Sequence, residues 1–324
     1  MTAQRTYPLA RLDPDLLRAA LNQPYVAHAD PLLARKAFAR AIRVSRALRG
    51  VTYPSDRVEV THRSFPAPDD GREIGIRMYA PREGTAPAPV LVYFHGACVS
   101  GDLDVEHERC LRFAAEVGCA VVSVAYRRPP EHPFPAPTED CFSAVRWVHD
   151  TAADWGADPA RIAVAGSSSG ATLAAAVALM ARDRGGPRLA LQMLLYPQLD
   201  DRLDTNSLRV FDQSPTGYQL DSRWEWRWYL GPDPAAPASP YAVPARCDDF
   251  TGVAPAYVLV AEVDPLRDEA IDYAIRMLRD GVRVELHQVA RTFHGFDAAA
   301  PLAPVSVRAL AEQCAALRYA LGLT

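Results

Sequence analysis

Three hydroxyls stand in a row between two glycines in Gly166-Ser167-Ser168-Ser169-Gly170. Taken alone, that composition is a flexible linker. Linkers do not, however, follow an apolar run such as Ile162-Ala163-Val164-Ala165 and lead straight into a helix-forming run such as Ala171-Thr172-Leu173-Ala174-Ala175-Ala176-Val177-Ala178-Leu179-Met180. In that setting Gly-x-Ser-x-Gly predicts a nucleophile elbow: a strained strand-to-helix turn lifts one serine clear of a sheet, and glycines remove the Cβ atoms that would clash. Ser168 is the candidate nucleophile. The expected helix start puts free N–H groups and a positive dipole end beside it, where a developing oxyanion would sit.

A serine hydroxyl is a poor nucleophile near neutral pH and needs a positioned base, itself oriented by a buried acid. After an elbow the chain order should be acid, then histidine. Asp264 follows Ala256-Tyr257-Val258-Leu259-Val260-Ala261, at the C-terminal end of a predicted strand, where open α/β sheets keep their chemistry. The same carboxylate could cap a helix starting near Leu266, whose apolar face would be Ala270, Tyr273, Ala274, Met277 and Leu278. His294, in Thr292-Phe293-His294-Gly295-Phe296, lies just past the strand-like Val284-Glu285-Leu286-His287-Gln288-Val289. By default a histidine is a surface or satisfied core residue, and position singles out His294. His287 alternates inside its strand, and His107, His132 and His149 precede the elbow, the wrong order for its base.

These three residues need a scaffold, and its elements are legible as patterns. Val58-Glu59-Val60-Thr61-His62-Arg63 and Ile74-Gly75-Ile76-Arg77-Met78-Tyr79 alternate, with Pro68-Asp69-Asp70-Gly71 between them, which predicts an antiparallel hairpin at a sheet edge. Beyond it come short, almost continuous apolar runs at 90–94, 120–124, 162–164, 191–195 and 257–260, several separated by helical segments. That pattern predicts a mostly parallel sheet covered by helices on both faces, an α/β fold. Residues 9–49 carry apolar positions at helical spacing (Leu16, Leu17, Ala20, Leu21; Leu32, Leu33, Phe38, Ile42), broken at Pro24 and Pro31. With no strand before them, they are expected to form cap helices over residues 1–50. Residues 200–245, rich in Asp, Pro and aromatics and including Trp224-Glu225-Trp226-Arg227-Trp228-Tyr229, are expected to be a cap insertion and a pocket wall. The core is then 51–199 and 246–324.

Composition excludes several chemistries. Net charge is −4 with both signs spread along 324 residues, so no nucleic-acid partner is expected. Lys36 is the only lysine, and its context, Ala34-Arg35-Lys36-Ala37-Phe38, suits neither a phosphate-binding loop nor a pyridoxal Schiff base nor a Tyr-x-x-x-Lys dehydrogenase site. Six scattered cysteines (Cys98, Cys110, Cys119, Cys141, Cys247, Cys314) show no C-x-x-C pairing, which predicts free thiols in a reducing compartment, with no disulfide framework and no metal site. The first residues carry no apolar signal core, and no later stretch is long enough to cross a bilayer, so a soluble cytoplasmic protein with no membrane partner is expected.

The chain resembles the hormone-sensitive-lipase-like (bacterial family IV) esterases of the α/β-hydrolase fold over almost its whole length. The resemblance rests on His95-Gly96, Gly101-Asp102, Tyr126-Arg127, Pro130-Glu131-His132-Pro133-Phe134-Pro135-Ala136, Asp158-Pro159-Ala160-Arg161-Ile162-Ala163-Val164, the elbow, Asp264-Pro265-Leu266-Arg267-Asp268-Glu269 and Phe293-His294-Gly295-Phe296, in that order. The insertion, with Asp200-Asp201-Arg202-Leu203 and Trp228-Tyr229-Leu230-Gly231, is similar to that of bacterial esterases acting on acetylated aromatic alkaloids such as heroin. The resemblance implies hydrolysis of small carboxylic esters of short to medium chain without a cofactor, a cap built from the N-terminal segment and the insertion, and a homodimer through an edge strand or the cap. It also implies an oxyanion hole from the Ser169 N–H together with N–H groups of Gly96, Ala97 or Cys98.

Two departures stand out. The family's His-Gly-Gly-Gly loop is here His95-Gly96-Ala97-Cys98, one residue shorter up to Gly101-Asp102, and the usual Gly-Asp-Ser-Ala-Gly-Gly elbow reads Gly166-Ser167-Ser168-Ser169-Gly170-Ala171. A weakened oxyanion hole would cost an esterase about 3 kcal/mol per lost donor. The expectation is therefore a serine ester hydrolase working through an acyl-enzyme, its aromatic insertion favouring an apolar or aromatic moiety. The altered loop leaves open a lyase, cyclase or acyl-transfer reaction on the same scaffold, and loss of catalysis altogether would leave a small-molecule binder. Cys98 is read as a small apolar filler rather than a second nucleophile.

Overall fold

The computed structural model describes residues 9–22, 30–49, 53–84, 86–211, 222–232 and 239–323. The expected break at Pro24, and residues 212–221 and 233–238 of the insertion, lie outside them. Eight strands form one sheet: β1 (Val58–Pro66), β2 (Glu73–Pro81), β3 (Ala88–Phe94), β4 (Ala120–Ala125), β5 (Ala157–Ser167), β6 (Leu189–Leu195), β7 (Ala256–Val263) and β8 (Val284–Phe293). Their order is β1-β2-β4-β3-β5-β6-β7-β8. β1 and β2 make the expected antiparallel edge hairpin, with Val60 opposite Tyr79, and β2 runs antiparallel to β4. From β4 to β8 every pairing is parallel.

The continuous apolar runs are explained by cover on both faces. In β3, Val90 and Val92 enter one core with Val164, Leu194 and Val258, while Leu91 and Tyr93 enter the other with Ala163, Met193 and Leu259. The first core is closed by α4 (Ala136–Thr151), α5 (Ser169–Asp183) and α8 (Arg267–Arg279), through residues such as Val145, Leu173 and Tyr273. The second is closed by α3 (His107–Val117) and α10 (Pro304–Ala320), through Phe113 and Leu317. In α5, residues Ser169 to Ala181 are all buried, and its many alanines let the helix lie close to the sheet.

The N-terminal helices and the insertion attach around the ends of these strands. Helix α1 (Pro14–Leu21) buries Leu16 and Ala20 in the second core, and the Asp13 N–H donates to Arg291 O at 2.8 Å. Helix α2 (Pro31–Arg49) lays Ala34 and Phe38 on Ala97 and Val105. Its Arg35 donates to Val99 O (2.8 Å) and Pro129 O (2.7 Å) and grips Glu131 with both Nη atoms. Leu21, Leu32 and Leu33, expected on the buried faces, are each more than half exposed. For Leu32 and Leu33 the reason is that the stripe in contact runs through Ala34, Phe38 and Ile42, and the two leucines lie off it. In the insertion, α6 (Asn206–Phe211) donates from the Ser207 N–H to Asp268 (2.8 Å) and from its hydroxyl to Pro265 O (2.8 Å). Helix α7 (Ser222–Leu230) shares a 2.8 Å hydrogen bond between Tyr229 OH and Thr138.

Candidate active site

Ser168 sits at the junction of β5 and α5 with φ 54° and ψ −125°, a conformation that L residues adopt only under constraint. The constraint is visible. The Ser168 N–H donates to Leu195 O at 2.9 Å, while its carbonyl accepts from Ala171 N (3.0 Å) and Gln198 N (3.3 Å). The flanking glycines are required by contact: a Cβ on Gly170 would lie 2.2 Å from Phe94 O, and one on Gly166 2.2 Å from Gly170 O. Ser168 itself is 7% exposed, in the expected elbow.

Asp264 and His294 leave the ends of the adjacent strands β7 and β8 and meet. His294 Nδ1 lies 2.9 Å from Asp264 Oδ2, and both residues are buried. Asp264 Oδ1 accepts the Leu266 N–H at 2.9 Å, so one carboxylate both shapes the turn before α8 and orients the imidazole. Sequence reasoning missed Tyr196, directly after β6, whose ring packs edge-on against His294 with centroids 4.8 Å apart. Among the described residues no hydrogen bond joins Ser168 Oγ to His294. Contacts of this kind are often long before substrate binds. The two residues are connected through the segment between them, since Leu195 holds the Ser168 N–H and its neighbour Tyr196 holds the ring.

The loop after β3 passes close to the elbow: a Cβ on Gly96 would lie 3.4 Å from Ser168 Cβ and 2.7 Å from Ser167 O. Ala97 takes a positive φ of 53°, the region glycine would occupy without strain. Its carbonyl closes the turn by accepting from Ser100 N (3.0 Å) and Gly101 N (2.6 Å). The Cys98 N–H, one of the expected donors, is held by Ser169 Oγ at 2.9 Å. Among the described residues no protein acceptor takes the N–H of Gly96 or Ala97. Burial pushes the Cys98 thiol up, so it stays protonated and behaves as the apolar filler expected. Ser169 and Cys98 line a cavity of about 10 Å³ with Thr172, Gln198, Glu225, Trp226 and Tyr229, which places the aromatic insertion against the loop.

His95 anchors that loop. Its ring stacks on Tyr126 (4.3 Å), and Tyr126 OH donates to His95 O at 2.7 Å. Burial pushes the imidazole down to about 4, from an ordinary value of 6.5. The folded protein therefore binds fewer protons than the unfolded chain below pH 6.5, and stability falls as pH drops from about 6.5 towards 4. Between pH 7 and 5 this group alone is expected to remove about 2 kcal/mol. Denaturant titrations at both values check it, and His95→Gln should flatten the difference.

Residues 91–298 match the family described as alpha/beta hydrolase fold. The chain belongs to that family. Carboxylic ester hydrolase LipN of Mycobacterium tuberculosis is 38% identical over 82% of this chain and 70% of its own length. Esterase LipI of the same organism is 41% identical over 76% of this chain and 78% of its own. Among solved structures, bacterial heroin esterase superposes with a TM-score of 0.90 at 40% identity, covering 97% of this chain and 99% of that one. Three of the other histidines have separate partners: His107 with Tyr79, His149 with Asp150, and His287 stacked on Tyr257. Among the described residues no helix is long and apolar enough to cross a membrane, and no cluster of three His, Cys, Asp or Glu could hold a metal ion.

Proposed function

We propose that this protein is a serine carboxylic-ester hydrolase that works through an acyl-enzyme formed on Ser168. His294 takes the hydroxyl proton as Ser168 attacks the ester carbonyl, and Asp264 stabilises the imidazolium and fixes its tautomer. The N–H groups of Ser169, Gly96 and Ala97 face the oxyanion. His294 returns that proton to the departing alcohol as the ester C–O bond breaks and the acyl-enzyme forms. The neutral imidazole then takes a proton from water, which attacks the acyl-enzyme and releases the acid and Ser168. The observation that carries this reading is the buried 2.9 Å contact between His294 and Asp264, on the same rim of the sheet as a serine held at positive φ. Relatives named as ester hydrolases favour hydrolysis over a lyase or acyl-transfer reaction, and the intact Ser, His and Asp set speaks against a pure binder. Residues 1–50 and 200–245 act as a cap, which rests on α2 lying over the loop and α7 closing the cavity beside it. The tryptophans of α7 suit an apolar or aromatic alcohol, as in the ester named for the heroin esterase. The six cysteines, all free and buried, suit a reducing cytoplasm.

A fluorophosphonate is expected to label the protein stoichiometrically, with the adduct mapping to Ser168 by peptide mass. No label at Ser168 would end this reading. A second test concerns the altered loop. Ser169→Ala releases the Cys98 N–H, and kcat for a p-nitrophenyl ester is expected to rise about tenfold, short of what an ideally aimed oxyanion donor is worth. An unchanged kcat would place Cys98 outside the oxyanion site.

A further inference from the structure

A buried charged network lies directly behind the proposed site and none of the chemistry above uses it. Glu106, Arg109 and Asp297 are each no more than 8% exposed, and they come from two parts of the chain: the start of α3, where Glu106 precedes the helix and Arg109 lies in its first turn, and α9 (Phe296–Ala299). Arg109 Nε donates to Glu106 Oε2 at 2.8 Å. Its Nη1 donates to Asp297 Oδ2 (2.9 Å) and Gln313 Oε1 (3.2 Å), and its Nη2 to Tyr196 OH (2.7 Å) and Asp297 Oδ1 (3.2 Å). All five guanidinium donors are thereby used. The other oxygen of Glu106 accepts the Ser167 hydroxyl, and Tyr196 OH donates on to Asp297 at 3.1 Å. Arg109 holds the Asp297 carboxyl below the usual range even though burial pushes it up.

The two ends of this network are what give it meaning. One end is Ser167, the residue before the elbow serine. The other is Tyr196, whose ring edge rests on His294 and whose backbone, like that of Ser168, is held at positive φ, 38°. A bulky aromatic residue stays there only where its surroundings over-determine it. Stability is a weak account of such a network, because two carboxylates and one guanidinium out of water gain little over well-packed apolar side chains. Geometry is a better one.

We propose that Glu106, Arg109 and Asp297 form a positioning device that fixes the nucleophile and its base relative to each other, with Ser167 and Tyr196 as its two contacts with the site. The inference rests on the serine-hydrolase reading. None of the five residues touches substrate. They act by holding Ser168 and His294 at the separation and angle that proton transfer needs.

The test uses kcat per Ser168 titrated by fluorophosphonate, with KM and thermal midpoints measured alongside. Ser167→Ala cuts one contact and Tyr196→Phe keeps the ring while removing the hydroxyl. Each is expected to lower kcat about tenfold, in line with the cost of small misplacements at a reacting centre, with KM within about twofold. Glu106→Ala leaves Arg109 paired with Asp297 and should match Ser167→Ala, while Glu106→Gln, which can still hold both neighbours, should recover most of the loss. The double variant Ser167→Ala/Glu106→Ala should be no slower than either single one, because both break the same link. Unaltered kcat per titrated site in Ser167→Ala and Tyr196→Phe, with only the thermal midpoint moved, would overturn the proposal. An unlabelled Ser168 in the unmodified protein would instead overturn the serine-hydrolase reading, and this inference with it.

Discussion

Ser168→Ala is expected to reduce turnover of a p-nitrophenyl ester by about a million-fold, to the level that binding and the remaining oxyanion donors sustain without a nucleophile. The loss should appear in kcat with the fold intact. Alanine has the same Cβ as serine, so the strain of a φ of 54° is carried unchanged, and the backbone bonds that impose it, to Leu195, Ala171 and Gln198, do not involve the hydroxyl. The thermal midpoint should therefore move by only a few degrees, as for a substitution away from core packing. Turnover within tenfold of the unmodified protein would remove Ser168 from the reaction and the acyl-enzyme with it.

The scaffold was legible in the sequence because its central strands, β3 to β7, are covered on both faces, so each contains an apolar run with little polar alternation to blur it. The eight expected strands form, and alternation appears at the two edges of the sheet, in the β1–β2 hairpin and in β8. In α8 the reading slipped where a polar partner intervened. Helix α8 was expected to bury Leu278, yet Leu278 is 49% exposed and Glu269 is buried instead. The Glu269 carboxylate accepts the N–H groups of Leu199 (2.6 Å) and Asp200 (3.3 Å), tying the start of the insertion to α8. Burial and the nearby carboxylates push its pKa well above the usual range, against the pull of those two N–H groups. A pattern of hydrophobicity cannot anticipate a buried acid whose partners are backbone groups 70 residues away.

The same limit applies at the candidate site. Ser168, Asp264 and His294 could be found because a motif and a chain order select them. Tyr196, Glu106, Arg109 and Asp297 lie in no motif, and only the fold brings them together. The one local hint is spacing, Glu106 and Arg109 at i,i+3 and Asp297 three residues after His294, which is too common to select anything by itself. The engagement of the Cys98 N–H by Ser169 Oγ was equally out of reach, since it depends on the path of a short loop rather than on residue type. In this fold the proposed reacting groups are picked out by local sequence, and their proposed support is specified by tertiary contact.

Asp264→Asn should also be severely damaging, and the geometry says why. Asp264 serves two donors at once: Oδ1 takes the Leu266 N–H and Oδ2 takes the imidazole proton at Nδ1, both at 2.9 Å. An amide has only one acceptor. If its oxygen stays with Leu266, the NH2 faces Nδ1, which must then accept, and the ring proton moves to Nε2, where the base needs a lone pair. If the amide turns the other way, two donors face each other at Leu266 in a buried setting, at a cost of about 1 to 3 kcal/mol. The first arrangement preserves the fold and is the one expected. kcat at neutral pH is then predicted to fall about ten-thousand-fold, with a thermal midpoint close to that of the unmodified protein. Nitrogen-15 spectra of labelled histidine would report the proton of His294 at Nε2 in the variant and at Nδ1 in the parent. A variant that keeps more than a tenth of the parent kcat would show that Asp264 shapes the turn before α8 and leaves the base unoriented.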